Sequence, residues 1–120
     1  MAMTLKRAAH LTGYEIRRVS TSATGGRVRF AAFDGAEEVA EADGPVEWLA
    51  LDALVSKVLR IHSRRALERS GWRCARCKRR QGLQIHHRRY RSHGGTHEVQ
   101  NLEPVCWQCH RMIHECERSR

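Results

Sequence analysis

The chain has 120 residues, enough for one compact unit but too few for a large core. Its net charge of +9 is lopsided: residues 1–59 hold 7 Lys/Arg against 8 Asp/Glu, whereas residues 60–120 hold 15 against 5. A basic half of this kind points to a polyanion such as nucleic acid, and no apolar run approaches transmembrane length and no secretory h-region opens the chain.

In chain order, Tyr14–Ser20 and Arg27–Phe33 read as two short strands joined through the turn-rich stretch 21–26, a hairpin pattern of β-formers around Gly25-Gly26. Residues 36–42 are short and acidic and carry no assignable element. Gly44-Pro45 then punctuates the chain, with Asp43 or Gly44 as a candidate cap. Val46, Leu49, Ala50, Ala53, Leu54, Val58 and Ile61 follow at helical spacing, the pattern of a packing helix. Ser63 is positioned to cap a second short helix, Arg64–Ser70, closed by Gly71. Its Arg64, Arg65 and Arg69 are either phosphate contacts or a solvated face. Leu83-Gln84-Ile85 reads as a strand running into His86-His87, and Trp107–Arg118 as a terminal helix. These elements divide the chain into residues 1–62, a hairpin and helix of unknown role, and residues 63–120, which carry the chemistry.

Five cysteines are present, and four form the CxxC pairs Cys74/Cys77 and Cys106/Cys109. Two such turns aim four thiolates at one tetrahedral ion, so the spacing predicts a structural zinc rather than a disulfide framework. A redox CxxC would sit alone in a βαβ context that this chain lacks. The 28 residues between Cys77 and Cys106 must carry structure of their own. Cys116 is left over. Free thiolates suit a reducing compartment, and an intracellular location is expected.

Four histidines accompany the zinc ligands. Adjacent strand residues point to opposite faces, so His86 and His87 can serve different roles. His110 and His114 lie four apart on one helix face. One strand histidine and two helix histidines make three neutral nitrogen ligands with open positions, the pattern of a catalytic metal site. The remaining strand histidine has a pKa suited to a general base. Cys109-His110 offers an alternative zinc ligand, and Asn101 taken alone reads as a turn residue. His10, His62, His93 and His97 read as surface side chains, with a substrate contact by His93 or His97 as the minority alternative. Trp107 reads as core rather than a stacking platform. The clusters Arg88, Arg89, Arg91 and Lys78, Arg79, Arg80 read as phosphate contacts, with a solvated face as the alternative.

Ile85-His86-His87, Gly94-Gly95, Asn101-Leu102 and Cys106-Trp-Gln-Cys109-His110 with His114 together resemble the HNH endonucleases of the zinc-knuckle variety. The resemblance covers about residues 66–116, with Arg69-Ser-Gly-Trp-Arg-Cys74 as the lead-in. It implies an α+β chain: a hairpin and helix, then a ββα-metal module with a structural zinc held by four cysteines. It implies metal-dependent hydrolysis of DNA phosphodiester bonds leaving 5′-phosphate ends. By the resemblance His87 is the general base, Asn101 holds the loop that orients it, and His110 is catalytic as a metal ligand. His86 and His114 complete the site of a catalytic divalent ion, which can be Mg2+, Mn2+, Ni2+ or Zn2+. A bacterial or phage origin is expected. The rival from another class is a non-catalytic zinc-binding module that binds nucleic acid. It has no need of His86, His87, Asn101, His110 and His114 together.

Overall fold

The computed structural model describes residues 2–19 and 26–118. Among the described residues the fold is α+β, with two small antiparallel sheets, three α-helices and two short 3-10 turns.

Helix α1, Leu5–Thr12, opens on Thr4, whose hydroxyl accepts the Arg7 N–H at 3.1 Å, and closes on Gly13 in the left-handed region. Strands β1 (Glu15–Val19), β2 (Val28–Asp34) and β3 (Glu37–Gly44) form an antiparallel meander in the order β1-β2-β3. The first two strands form the expected hairpin, although residues 20–25 of its turn lie outside the described residues. β3 is the stretch whose acidic content concealed a strand. Its acids answer the basic side chains of β2 and the residue before it: Arg29 pairs with Glu41 and Asp43, and Arg27 with Asp43. Asp43 therefore belongs to the sheet and not to a helix cap.

Helix α2 runs unbroken from Glu47 to Arg69, 23 residues, with Val46 at its N-cap position and no side-chain cap bond. Two expectations are corrected here. Neither Asp43 nor Gly44 caps the helix, and Ser63 does not start a second one. The buried stripe Ala50, Leu51, Leu54, Val55, Val58 continues through His62 to Ala66, so the helix has no reason to stop at residue 63. Gly71, in the left-handed region, follows the C-terminus as expected. With Ala8, Leu11, Ile16, Phe30, Ala32 and Ala40 this stripe makes the main core. The C-terminal end of α2 passes beyond that core, and the helix also packs on β5.

Strands β4 (Leu83–His87) and β5 (Leu102–Cys106) form the second sheet, and α3 (Trp107–Arg118) follows β5 directly. The buried apolar cluster in this half is small: Cys74, Val105 and Cys106, with Leu83, Cys109 and Ile113 against them; Leu102 is buried beside it on β5. So small a core needs a staple, and the cysteines within it are suited to supply one. Among the described residues no helix is long and apolar enough to cross a membrane.

Candidate metal and nuclease centre

The four cysteines of the two CxxC pairs converge, their sulfur atoms all within 4.8 Å of one another. Each pair sits in a turn whose backbone N–H groups point at sulfur. Arg76 N and Cys77 N lie 3.4 and 3.5 Å from Cys74 Sγ, and Cys109 N lies 3.4 Å from Cys106 Sγ. Burial raises the Cys74 thiol, but N–H groups of Cys77, Cys106 and Arg76 outweigh it and bring the thiol down to about 6. Cys109 is pushed the other way, to about 12, first by its hydrogen bond with Cys106 and then by burial. Four sulfurs this close cannot all ionise without a cation, and they fit a zinc site.

A second cluster joins His86, His110 and His114, whose ligand nitrogens also lie within 4.8 Å of one another. His86 comes from β4 and is buried; the other two are half-buried on α3. His110 Nε2 and His114 Nε2 are 3.1 Å apart, a separation that two bonds of roughly 2.0–2.1 Å to one ion can span. Burial, and then His114, lower the His110 pKa and favour the neutral form that a ligand needs. Tyr90 borders the triad: its ring stands edge-on to His86 at 5.8 Å and stacks on His114 at 5.9 Å. Tyr90 stands three residues beyond the double histidine, but no sequence motif marks it as part of a site.

His87 follows His86 on β4, on the other face of the strand and half-buried. Its Nε2 lies 2.9 Å from Nδ1 of His97. Burial first, then Arg91 and His86, lower its pKa. His97 itself is 1% exposed, held well down at about 4 by burial and then by His87, Arg91 and His62. The expectation of a surface His97 is thus overturned. His62 is equally misjudged: it is buried on α2 and engages Tyr14 and the His97 carbonyl. His10 and His93 are exposed as expected.

Asn101 ties the loop 88–101 to itself. Its Oδ1 accepts the Arg89 N–H at 2.8 Å, and its Nδ2 donates to Thr96 O at 2.7 Å and Arg89 O at 3.2 Å. Its own carbonyl accepts from Arg88 N at 2.8 Å. Gly95 lies so close beneath this loop that a Cβ there would meet the Arg89 carbonyl oxygen at 1.8 Å.

The basic side chains are exposed, but several are engaged within the protein. Arg88 pairs with Glu103 at 3.1 Å, and Arg76 donates to the other oxygen of the same buried carboxylate at 2.8 Å. Arg89 Nε donates to His93 O at 2.6 Å, Lys78 Nζ reaches Ala75 O at 3.3 Å, and Arg79 bonds Gln108. Arg80 and Arg91 are also exposed. Glu103 is a further residue that the sequence reading missed; it sits opposite His86 in the sheet register. Trp107 is half exposed and covers Gly82, so its expected place in the core is corrected. Cys116 is exposed and outside both clusters.

No curated protein and no solved structure matches the chain. Residues 74–115, which contain both clusters, match the model of the HNH endonuclease family, and the four gathered cysteines fit its zinc-knuckle variant.

Proposed function

We propose that the protein is a metal-dependent endonuclease that hydrolyses DNA phosphodiester bonds, with residues 63–120 as the nuclease domain. The family match supports a nuclease or nucleic-acid-binding function. The observation that carries the finer reading is the second cluster. A binding module has no use for three converging histidines with a fourth, His87, next to one of them on the strand.

In this reading His87 accepts a proton from water as the water oxygen attacks phosphorus. The bond from phosphorus to the 3′ oxygen breaks; that oxygen takes a proton from water and leaves as a 3′ hydroxyl, and the phosphate stays on the 5′ oxygen of the other fragment. Asn101 holds the Arg88–Arg91 loop in place, and Arg88, Arg89 and Arg91, with Lys78, Arg79 and Arg80, hold backbone phosphates. His86, His110 and His114 would hold a divalent ion. When bound, that ion supplies Lewis-acid stabilisation of charge on the phosphate and the leaving oxygen. The four cysteines would hold zinc and keep the strands and α3 in register. The reading places the enzyme inside a cell, with a bacterial or phage origin, where reducing conditions preserve thiols.

Incubation of the purified chain with supercoiled plasmid and Mg2+, Mn2+, Ni2+ or Zn2+ tests this directly. Nicked or linear product with at least one ion is expected. DNA retention without cleavage by any ion would return the protein to the class of zinc-binding nucleic-acid modules.

A further inference from the structure

Among the contacts between the N-terminal region and the candidate nuclease centre, those at His97 lead directly to His87. Its backbone N–H donates to Leu11 O, near the end of α1, at 2.7 Å. Its carbonyl accepts from His62 Nδ1, on α2, at 2.8 Å. A carbonyl can only accept, so His62 carries its hydrogen on Nδ1 and leaves Nε2 as an acceptor. The Tyr14 hydroxyl fills that place at 2.8 Å. Beside this contact Gly13 adopts a positive φ of 76°, and a Cβ there would meet Glu98 Oε1 at 2.0 Å. The segment 97–98 is therefore held against α1, the residues that follow it and α2. From that anchored backbone the His97 ring presents Nδ1 to His87 Nε2 at 2.9 Å, the two rings lying 5.1 Å apart and inclined by 65°.

We propose that His97 is a positioning residue that fixes the ring and the tautomer of His87, and that the N-terminal region serves the nuclease centre by anchoring His97. The proposal rests on the reading of His87 as general base. A base must offer a bare nitrogen, and Nε2 of His87 is already engaged. With the hydrogen of His87 on Nε2, donated to His97 Nδ1, its own Nδ1 is the proton acceptor. His97 thus does for His87 what an orienting partner does for any catalytic imidazole. Nothing in this arrangement asks His97 to touch DNA or metal. Its buried place agrees with that.

The test uses the whole zinc-loaded chain with 15N-labelled histidines. Long-range proton–nitrogen correlation reads which His87 nitrogen carries hydrogen, independently of cleavage. Wild-type protein is expected to carry it on Nε2. His97→Leu should mix the tautomers and lower kcat on the order of tenfold to a hundredfold with KM nearly unchanged, the usual cost of losing an orienting partner. His97→Asn, whose amide oxygen can stand where Nδ1 stood, should restore both. If the leucine variant does not fold, His97→Gln replaces it, since its longer side chain carries the amide past the Nδ1 position. His62→Leu should lower kcat in the same direction. Hydrogen on Nδ1 of wild-type His87, or an unchanged tautomer and kcat in His97→Leu, would overturn the positioning role. An unchanged kcat in His62→Leu would overturn the anchoring role. If the wild type cut nothing while the tautomer behaved as expected, the base reading would fail and the positioning would stand.

Discussion

The Tyr90 hydroxyl lies 3.4 Å from His114 Nδ1, and the two rings stack with only 19° between their planes. Tyr90 thereby turns the other nitrogen of His114 toward His110. A partner that orients a ligand typically contributes tenfold to a hundredfold in metal affinity. Tyr90→Leu should therefore weaken binding of Co2+ to the histidine site by about tenfold, read from its visible spectrum in zinc-loaded protein. Tyr90→Phe keeps the stacking and should lose less. Equal affinity in all three proteins would mean that the histidines are oriented by their own backbone alone.

The cysteine cluster makes a stoichiometric prediction. Purified under reducing conditions, the protein should carry about one tightly held zinc, and a strong chelator should unfold the C-terminal half, whose apolar core is so small. Elemental analysis and circular dichroism before and after chelation decide it. A zinc-free protein with unchanged spectra would contradict the assignment.

DNA affinity should fall steeply with salt, because the basic charge is concentrated in residues 60–120. Each phosphate contact removed should reduce the slope of log affinity against log salt by about one. The triple replacement of Arg88, Arg89 and Arg91 by Ala should flatten that slope. Arg88 shares the buried Glu103 carboxylate with Arg76, so Arg88→Ala should also lower stability in a way that Arg91→Ala does not. A slope unchanged in the triple variant would make the cluster a solvated face.

Stability should depend on pH through His97. Its folded pKa of about 4 lies below the roughly 6.5 of an unfolded histidine. Between those values the unfolded chain binds a proton that the folded chain refuses, so stability rises with pH there. The contribution is complete above about pH 6.5 and is lost progressively as pH falls toward 4. The groups facing His97 are His87, Arg91 and His62, and each opposes its protonation. Urea unfolding at saturating zinc, from about pH 5.5 to 7, should show a slope that His97→Asn lessens by about 1 kcal/mol per pH unit or less. Equal slopes in the two proteins would contradict a buried, neutral His97.

Much of the C-terminal half was legible because its signals are local. The strand at Leu83–His87 and the helix beginning at Trp107 lie where spacing alone puts them. Other features depend on distant partners. The acidic Glu37, Glu38 and Glu41 leave β3 without an assignable element in the sequence, yet Glu41 pairs with Arg29 across the sheet. Ser63 resembles a helix cap in isolation, but His62 and Ala66 on either side continue a buried stripe. Helix α1 went unread although Thr4 and Gly13 cap it. His97 was hidden most completely. Its place beside His87 requires Asn101 to close the loop locally, through Thr96. It also requires Leu11 and His62 to hold its backbone, and the nearer of these, His62, stands 35 residues away in sequence.

The roles assigned to His87 and His110 separate under added metal. His87→Ala should abolish cleavage and leave zinc content, folding and DNA binding nearly intact. A general base acts in the transition state and adds little to binding of the ground-state duplex. Its loss typically lowers the rate on the order of a hundredfold to ten-thousandfold. His110 stands 3.1 Å from His114 within the second cluster, so His110→Ala should also inactivate, but by weakening the hold on the ion. Raising the divalent metal concentration should then restore part of the activity of His110→Ala. It should restore none to His87→Ala if His87 is the base, because an ion cannot replace a missing proton acceptor. Cleavage assays of both variants across a metal titration carry the distinction. Cleavage by His87→Ala at the wild-type rate would remove His87 from the base position, and rescue of both variants alike would make His87 one more ligand.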